Sequence, residues 1–534
     1  LMPGVPYMRE YPPESFYPNG EGKMLKTPID SSPKSSVKCS DPLPEGTYPL
    51  PRCISNVFEY DYETFDVEQR SELRSKRRTR ELAANGTTSL PFNLSETFDP
   101  NQLNTVRNGI NHGTSFLRLN TIYGTSDEDL SILRDRTSCK LLTSDGDYPA
   151  KDTEGRYMWG IIPLRSWTLF TLAINTVWIR EHNRLCDELF QMHGNAWSDQ
   201  QYFDEARRWN IAYFQKTVSE EYLGTILGRP LPLYNGYKPD LVPGIDTFFA
   251  TVTFKYGHSE LSDTYRIQDD YGDTIAELTL NQITNQSLLE TFGLNRVLRS
   301  MALQRQEEVD IFFSDSVKNF ISPDSYTYDL PAFDISRTRD RGIPLYNSVR
   351  EAYGLSRKNS WNEITSNSDI QNKLQFLYPN GPDTLEAYVG AYSEDHLEGS
   401  NFGELVNASL VTQFNRLRET DEIWWESDSF NQEAKDKLRN TTFRDIIIRN
   451  LPEESQFVKS IWTVQPQSLG DGGEDAEYPS KVSPWSSYIV RYRLDDTRIH
   501  FKVELQTLGG EGWFGMGFEP SDIGMKDAEF IIGI

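Results

Sequence analysis

The stretch from Trp167 to His193, WTLFTLAINTVWIREHNRLCDELFQMH, constrains the fold more than any other part of the chain. Trp178, His182, Leu185, Cys186, Leu189 and Met192 recur at helical spacing, and Ser166 stands where an N-cap would. The pattern therefore predicts a long helix with one buried stripe. That stripe runs through Arg180-Glu181-His182-Asn183-Arg184. Alone, such a charged pentapeptide reads as a solvated helix face. Set inside an apolar stripe, it needs partners for its charges, and these have to come from other parts of the chain.

At 534 residues the chain exceeds one modest core, so two domains are expected. A balance of 54 Lys+Arg against 79 Asp+Glu leaves a net charge of -25, which repels polyanions and argues against nucleic acid as a partner. The apolar run before Arg180 is broken by Thr168, Thr171, Asn175 and Thr176, so no membrane insertion is expected. No basic-then-apolar leader follows Leu1, which leaves a signal peptide either removed or absent. Of the four cysteines, Cys39 and Cys53 flank a Pro-rich loop that a disulfide could close. Sequons at Asn85, Asn93, Asn285, Asn407 and Asn440 fit a secreted glycoprotein. The expected setting is thus extracellular or the cell surface, with other extracellular proteins or glycans as partners; an oligomer is compatible with this.

Residues 1 to about 60 read as loops wrapped on something larger, and Glu68 to Ala84 as an exposed charged helix or insertion. Gln102 to Arg134 predicts a loop passing into a short helix capped by Ser126. Asp199 to Leu227 predicts a second long helix, with Phe203, Phe214, Val218 and Tyr222 on one face and Gly228-Arg229-Pro230 as its stop. Ile245 to Leu261 stays open: Thr251, Val252 and Thr253 favour a strand, while Phe254 and His258 sit at helical spacing. Helical patterns recur at Leu278 to Phe292, Tyr346 to Tyr353, Ile370 to Leu377, Asn407 to Leu417 and Asn431 to Leu438. A Gly/Asp/Ser/Pro-rich linker follows, and beyond it Tyr488 to Leu494, Ile499 to Leu505 and Gly512 to Phe518 read as strands.

Spaced motifs in order resemble the animal-type haem peroxidases, the superfamily that also contains the cyclooxygenases. They are Thr114 to Gly124 (TSFLRLNTIYG), Trp178 to Cys186 (WIREHNRLC), Phe254 to Ser259 (FKYGHS) and Asp334 to Arg350 (DISRTRDRGIPLYNSVR), continued by Leu385 to Glu426. The segments Phe501 to Gly509, Gly512 to Phe518 and Gly524 to Gly533 resemble a DOMON domain, an extracellular β-sandwich that binds haem or sugars. The resemblances imply a mainly α haem-peroxidase-like domain over 1–463, a linker over 464–483 and an incomplete DOMON-like β-sandwich over 484–534. Met516, Met525 and His500 are read there as packing or turn residues.

The resemblance maps the proximal haem ligand onto His258, so haem b is the implied cofactor. The ligand's hydrogen-bond partner falls on Asp334, where the family usually has asparagine; a carboxylate there pushes electron density onto the imidazole. The propionate-binding arginine becomes Lys255, which keeps the charge but loses the bidentate fork. His182 is expected to be structural, hydrogen-bonded in the core.

Other parts of the family's site are not matched. Its distal base lies in a Gly-Gln-Phe-x-x-His-Asp motif, whose best counterpart here puts Thr27 and Pro28 at His-Asp, and threonine cannot serve as that base near neutral pH. Arg118 replaces the aspartate of the calcium loop and Asn120 its serine, so calcium is not expected. The distal arginine maps to Arg165 with a one-residue slip, and the ester-forming glutamate to Thr168. Two readings stand: a secreted pseudo-peroxidase with a structural or adhesive role, or an active hydrogen-peroxide-dependent peroxidase whose distal histidine lies upstream of residue 1. A cyclooxygenase-like activity is a more distant third, because no radical tyrosine can be assigned.

Overall fold

Thr168 opens the central helix, Leu169–His193, by accepting a hydrogen bond from the Thr171 amide at 3.3 Å. In this computed structural model the described residues are 114–158, 168–269, 272–321, 327–451 and 457–464, with the backbone of several strands elsewhere. Ser166, the cap expected from sequence, lies outside them. Trp178, His182, Leu185, Cys186 and Leu189 are buried as the stripe predicts. Met192 is not: it is 61% exposed, because like Phe190 it falls in the last turns, past the packed part of the helix.

The second long helix spans Asp199–Lys216 and starts on a capping box between Ser198 and Gln201. It widens into a π-helical segment, Thr217–Tyr222, resumes as Leu223–Leu227 and stops at Gly228, whose φ of 67° is left-handed. It packs along the central helix, with Phe214 edge-on to Trp178 and Phe203 against the His182 ring. The short helix Asp127–Leu133 carries the expected Ser126 cap, with Asp129 closing the box.

The ambiguous segment Ile245 to Leu261 is helical but broken. Asp246 caps Thr247–Thr251, a tight turn follows at Thr253–Lys255, and Tyr256–Ser259 forms a last turn. The β-branched run is the place of the break, since its stiff side chains disfavour a continuous helix and Thr253 bonds to Ser409 instead. The helix expected from Leu278 does not begin there. Leu278 belongs to strand Thr274–Thr279, antiparallel to Thr264–Gln268, and it is buried between exposed neighbours, a period of two. Only Leu288–Phe292 of that stretch is regular helix. Helices Tyr346–Ala352, Ser368–Leu377, Glu404–Glu419 and Gln432–Asn440 fall where the patterns put them.

By contacts the chain divides into two units, Leu1–Asp269 with Thr274–Val464, and Asp270–Asp273 with Gln465–Ile534. In the second, Ser480–Trp485, Tyr488–Leu494 and Ile499–Leu505 form an antiparallel sheet with Tyr488–Leu494 in the middle, and Trp513–Met516 pairs with Phe530–Gly533. The first strand starts at Ser480, inside the stretch expected to be linker, because Lys481 and Val482 pair with Arg491 and Val490. Pro484 sits on that edge strand, where a missing amide is tolerated. Among the described residues no helix is long and apolar enough to cross a membrane.

Candidate functional site

The last turn of the broken helix presents His258. Ser259 holds the turn in place: its hydroxyl lies 3.0 Å and 2.9 Å from the Glu308 and Asp310 carbonyls and accepts the Asp310 amide. Asp334 comes from helix Leu330–Asp340, which Asp329 caps and Pro331 starts. The Nδ1–H of His258 donates to Asp334 Oδ2 at 2.6 Å. The carboxylate is buried, and Tyr388 donates its hydroxyl to the same oxygen at 3.3 Å. Burial and the neighbouring carboxylate push the Tyr388 phenol well above its ordinary range, so it remains a donor.

No described residue bonds the Nε2 of His258, whose side chain is 29% exposed. One nitrogen is thus fixed by a buried carboxylate while the other points free, the orientation a metal-ligating imidazole needs. The residues present therefore fit a haem ligated at His258. Lys255 lies three residues earlier, partly buried, with an ammonium that makes no hydrogen bond or ion pair to a described residue. It has the charge to meet a propionate there. Tyr388 escaped the sequence reading; its only signal was its place in the Leu385 to Glu426 match.

His182 is built for a different role. Its Nε2–H donates to the Cys139 carbonyl at 2.9 Å, and Nδ1 accepts from the Tyr123 hydroxyl at 2.9 Å, which itself accepts from Asn210. Full burial lowers its pKa to about 4, so it is neutral and structural. Its charged neighbours are paired. Glu181, fully buried, accepts from both Arg184 and Arg449 in bidentate fashion and from Asn450. Arg180 donates to the carbonyls of Gly146, Asp147 and Asn450. The pentapeptide is thus not a solvated face.

Arg118 forms an ion pair with buried Asp421, which also accepts from Gln215 at 3.0 Å. Among the described residues no group of three or more His, Cys, Asp or Glu side chains gathers as a metal site. Thr168, onto which the resemblance mapped the ester-forming glutamate, is the cap of the central helix. Arg165, Thr27, Cys39, Cys53, Asn85 and Asn93 lie outside the described residues. Asn285 and Asn440 are exposed. Asn407 is corrected as a glycan acceptor. It is 1% exposed, its amide donates to Ser400 at 3.1 Å and accepts from Arg229 at 2.7 Å, so the fold leaves no room for a glycan.

This helical scaffold, with an imidazole held from behind by a carboxylate, is that of a haem-peroxidase-type protein. The model of the family described as animal haem peroxidase matches residues 24–462, and the chain belongs to that family. It is 30% identical to Peroxinectin A of Dictyostelium discoideum over 361 residues, covering 64% of this chain and 67% of that one. Dual oxidase of Drosophila melanogaster is 29% identical over 67% of this chain but 26% of its own length, and lactoperoxidase of Mesocricetus auratus 30% identical over 59% and 46%. The chain thus spans less than half of those two relatives. Among solved structures, peroxidase A from Dictyostelium discoideum superposes with a TM-score of 0.69 at 24% identity, covering 86% of this chain and 95% of that one. A fatty acid alpha-dioxygenase of Oryza sativa does so with 0.61 at 19% identity, covering 73% and 72%. At these identities the structures speak for the fold alone.

Proposed function

We propose that this chain is the haem-binding part of an extracellular peroxidase-family protein that holds haem b through His258 and has little capacity to split peroxide, serving a structural or adhesive role. The observation that carries this reading is the His258–Asp334 pair, with Nε2 free. Haem, when bound, supplies one-electron and oxygen chemistry. Asp334 orients the imidazole and makes it a stronger donor, which favours the ferric state, and Lys255 meets a propionate. Arg165 is proposed as the distal arginine.

Impairment follows from what should face the ligand. Peroxide cleavage needs a base that carries a proton between the two oxygens. No histidine of the chain is followed by aspartate. His182 has both nitrogens engaged, His396 bonds the Val309 carbonyl, and His193 stacks on Trp197. With Arg118 bound to Asp421, that loop needs no calcium. Secretion is supported by the exposed sequons at Asn285 and Asn440. For the C-terminal strands we propose a DOMON-like module, resting on the resemblance of Phe501 to Gly509, Gly512 to Phe518 and Gly524 to Gly533.

The second reading, an active peroxidase, is favoured by the names of the matched relatives, peroxidases and oxidases among them. One experiment separates the two. Protein reconstituted with haem should show a Soret band that His258→Ala abolishes, and should oxidise a phenolic donor with hydrogen peroxide at a rate at least about a hundredfold below a peroxidase with an intact acid–base pair. Turnover at the full rate would establish the second reading. Failure to bind haem would sink both.

A further inference from the structure

Cys139 and Cys186 are the two cysteines among the described residues, and the candidate haem site uses neither. Both are buried, at 9% and 0% exposure, and both are thiols. Cys139 lies on a bend before the central helix, and the bend is docked on that helix in a fixed register. The Cys139 carbonyl accepts from His182 Nε2 at 2.9 Å and from the Cys186 thiol at 2.8 Å. Lys140 pairs with Asp187 at 2.8 Å. Leu141 exchanges hydrogen bonds with the Asn183 amide at 2.8 and 3.1 Å. Consecutive loop residues 139 to 141 are thus tied to helix residues 182, 183, 186 and 187, which sets the Cys186 sulfur against the backbone of Cys139 and makes the two cysteines neighbours across the loop–helix contact.

We propose that Cys139 and Cys186 form a hydroperoxide-sensitive dithiol, in which peroxide oxidises Cys139 and Cys186 closes a disulfide that staples the loop to the central helix. The Cys139 sulfur attacks one peroxide oxygen, the O–O bond breaks, and the leaving hydroxide takes up the thiol proton as water. Cys139 is then a sulfenic acid. The Cys186 sulfur attacks that sulfur, the S–O bond breaks, and the hydroxyl leaves with the Cys186 proton as a second water. Two thiols lose two electrons and one hydroperoxide gains them.

The surroundings divide the roles. Cys139 sits on the loop at 9% exposure, whereas Cys186 is fully buried in the helix with its thiol donating to the Cys139 carbonyl. Cys139 is therefore the attacking sulfur and Cys186 the resolving one. His182 takes no proton from either, since its Nε2–H is committed to the Cys139 carbonyl and its Nδ1 to Tyr123. Neither sulfur depends on haem at His258, so the proposal stands apart from the proposed function.

The test uses the full chain, reduced, freed of reductant under anaerobic conditions and treated with stoichiometric hydrogen peroxide. After blocking with N-ethylmaleimide and non-reducing tryptic digestion, mass spectrometry should find Thr137 to Lys140 linked to Leu185 to Arg207. The melting temperature should rise by an amount on the order of 5 °C and return with dithiothreitol. In Cys186→Ser, Cys139 should stop at the sulfenic acid and be captured by a 1,3-dione, several times more than in the unaltered protein. Both thiols staying alkylatable after excess peroxide, or each proceeding separately to sulfinic acid, would overturn the proposal. The measurement on the unaltered chain decides this even where the variant fails to fold.

Discussion

Glu181 shows how a single buried charge can organise a molecule. Its carboxylate is fully buried and gathers Arg184 from its own helix with Arg449 and Asn450 from a helix end 268 and 269 positions away. Glu181→Ala leaves these donors facing a low-dielectric gap, and breaking a buried pair of this kind costs about 3–5 kcal/mol. Urea unfolding followed by circular dichroism should show that loss, with Glu181→Gln intermediate. His182, one residue on, makes the fold acid-sensitive. Its pKa is lowered to about 4 in the folded state from an unfolded value near 6.5, so between these values the unfolded chain binds a proton that the native state does not. Stability contributed by neutral His182 is therefore present above pH 6.5 and is lost as pH falls towards 4, to the extent of about 3 kcal/mol. Unfolding midpoints measured from pH 7 to pH 4 should fall accordingly, and His182→Phe should flatten the slope.

Helix Ala387–Ser393 connects packing to the candidate site. Its Gly390 lets the Tyr346 ring lie against the backbone: a Cβ there would come 2.3 Å from the ring. Tyr346 in turn donates to Glu394 at 2.6 Å, and the same helix carries Tyr388 onto Asp334. Gly390→Ala should push the helix from Tyr346 at a cost of about 2 kcal/mol. The thermal midpoint should drop, and haem affinity with it, because Tyr388 moves off the carboxylate that orients His258. The broken helix around Val252 belongs to the same scale. Its residues read as strand or helix with equal force, and the packed chain makes them helical on either side of a break, where Thr253 bonds to Ser409.

Over the whole molecule, burial decides which sequons can act. In protein secreted from a eukaryotic host, Asn285 and Asn440 should carry glycan and Asn407 should not. Deglycosylation in heavy-oxygen water, with mass spectrometry of the resulting aspartates, reads this directly. A glycan at Asn407 would mean that the packing of Asn407 against Ser400 and Arg229 is wrong. The same long-range logic places Arg118 on Asp421, 303 positions away.

The sequence by itself determined the central and second long helices, the Ser126 cap and the order of the motifs. These depend on local periodicity, capping chemistry and residue identity at known spacing, all of which are written in neighbouring residues. Only the tertiary structure decided which charges are buried in pairs, that Tyr388 shares the carboxylate of His258, that Asn407 is inaccessible and that two cysteines meet. Each of these joins segments far apart in the chain, and local patterns do not encode such distances. Burial turns a polar side chain from a solvated group into one that must find a partner, and only the packed chain shows which one it finds.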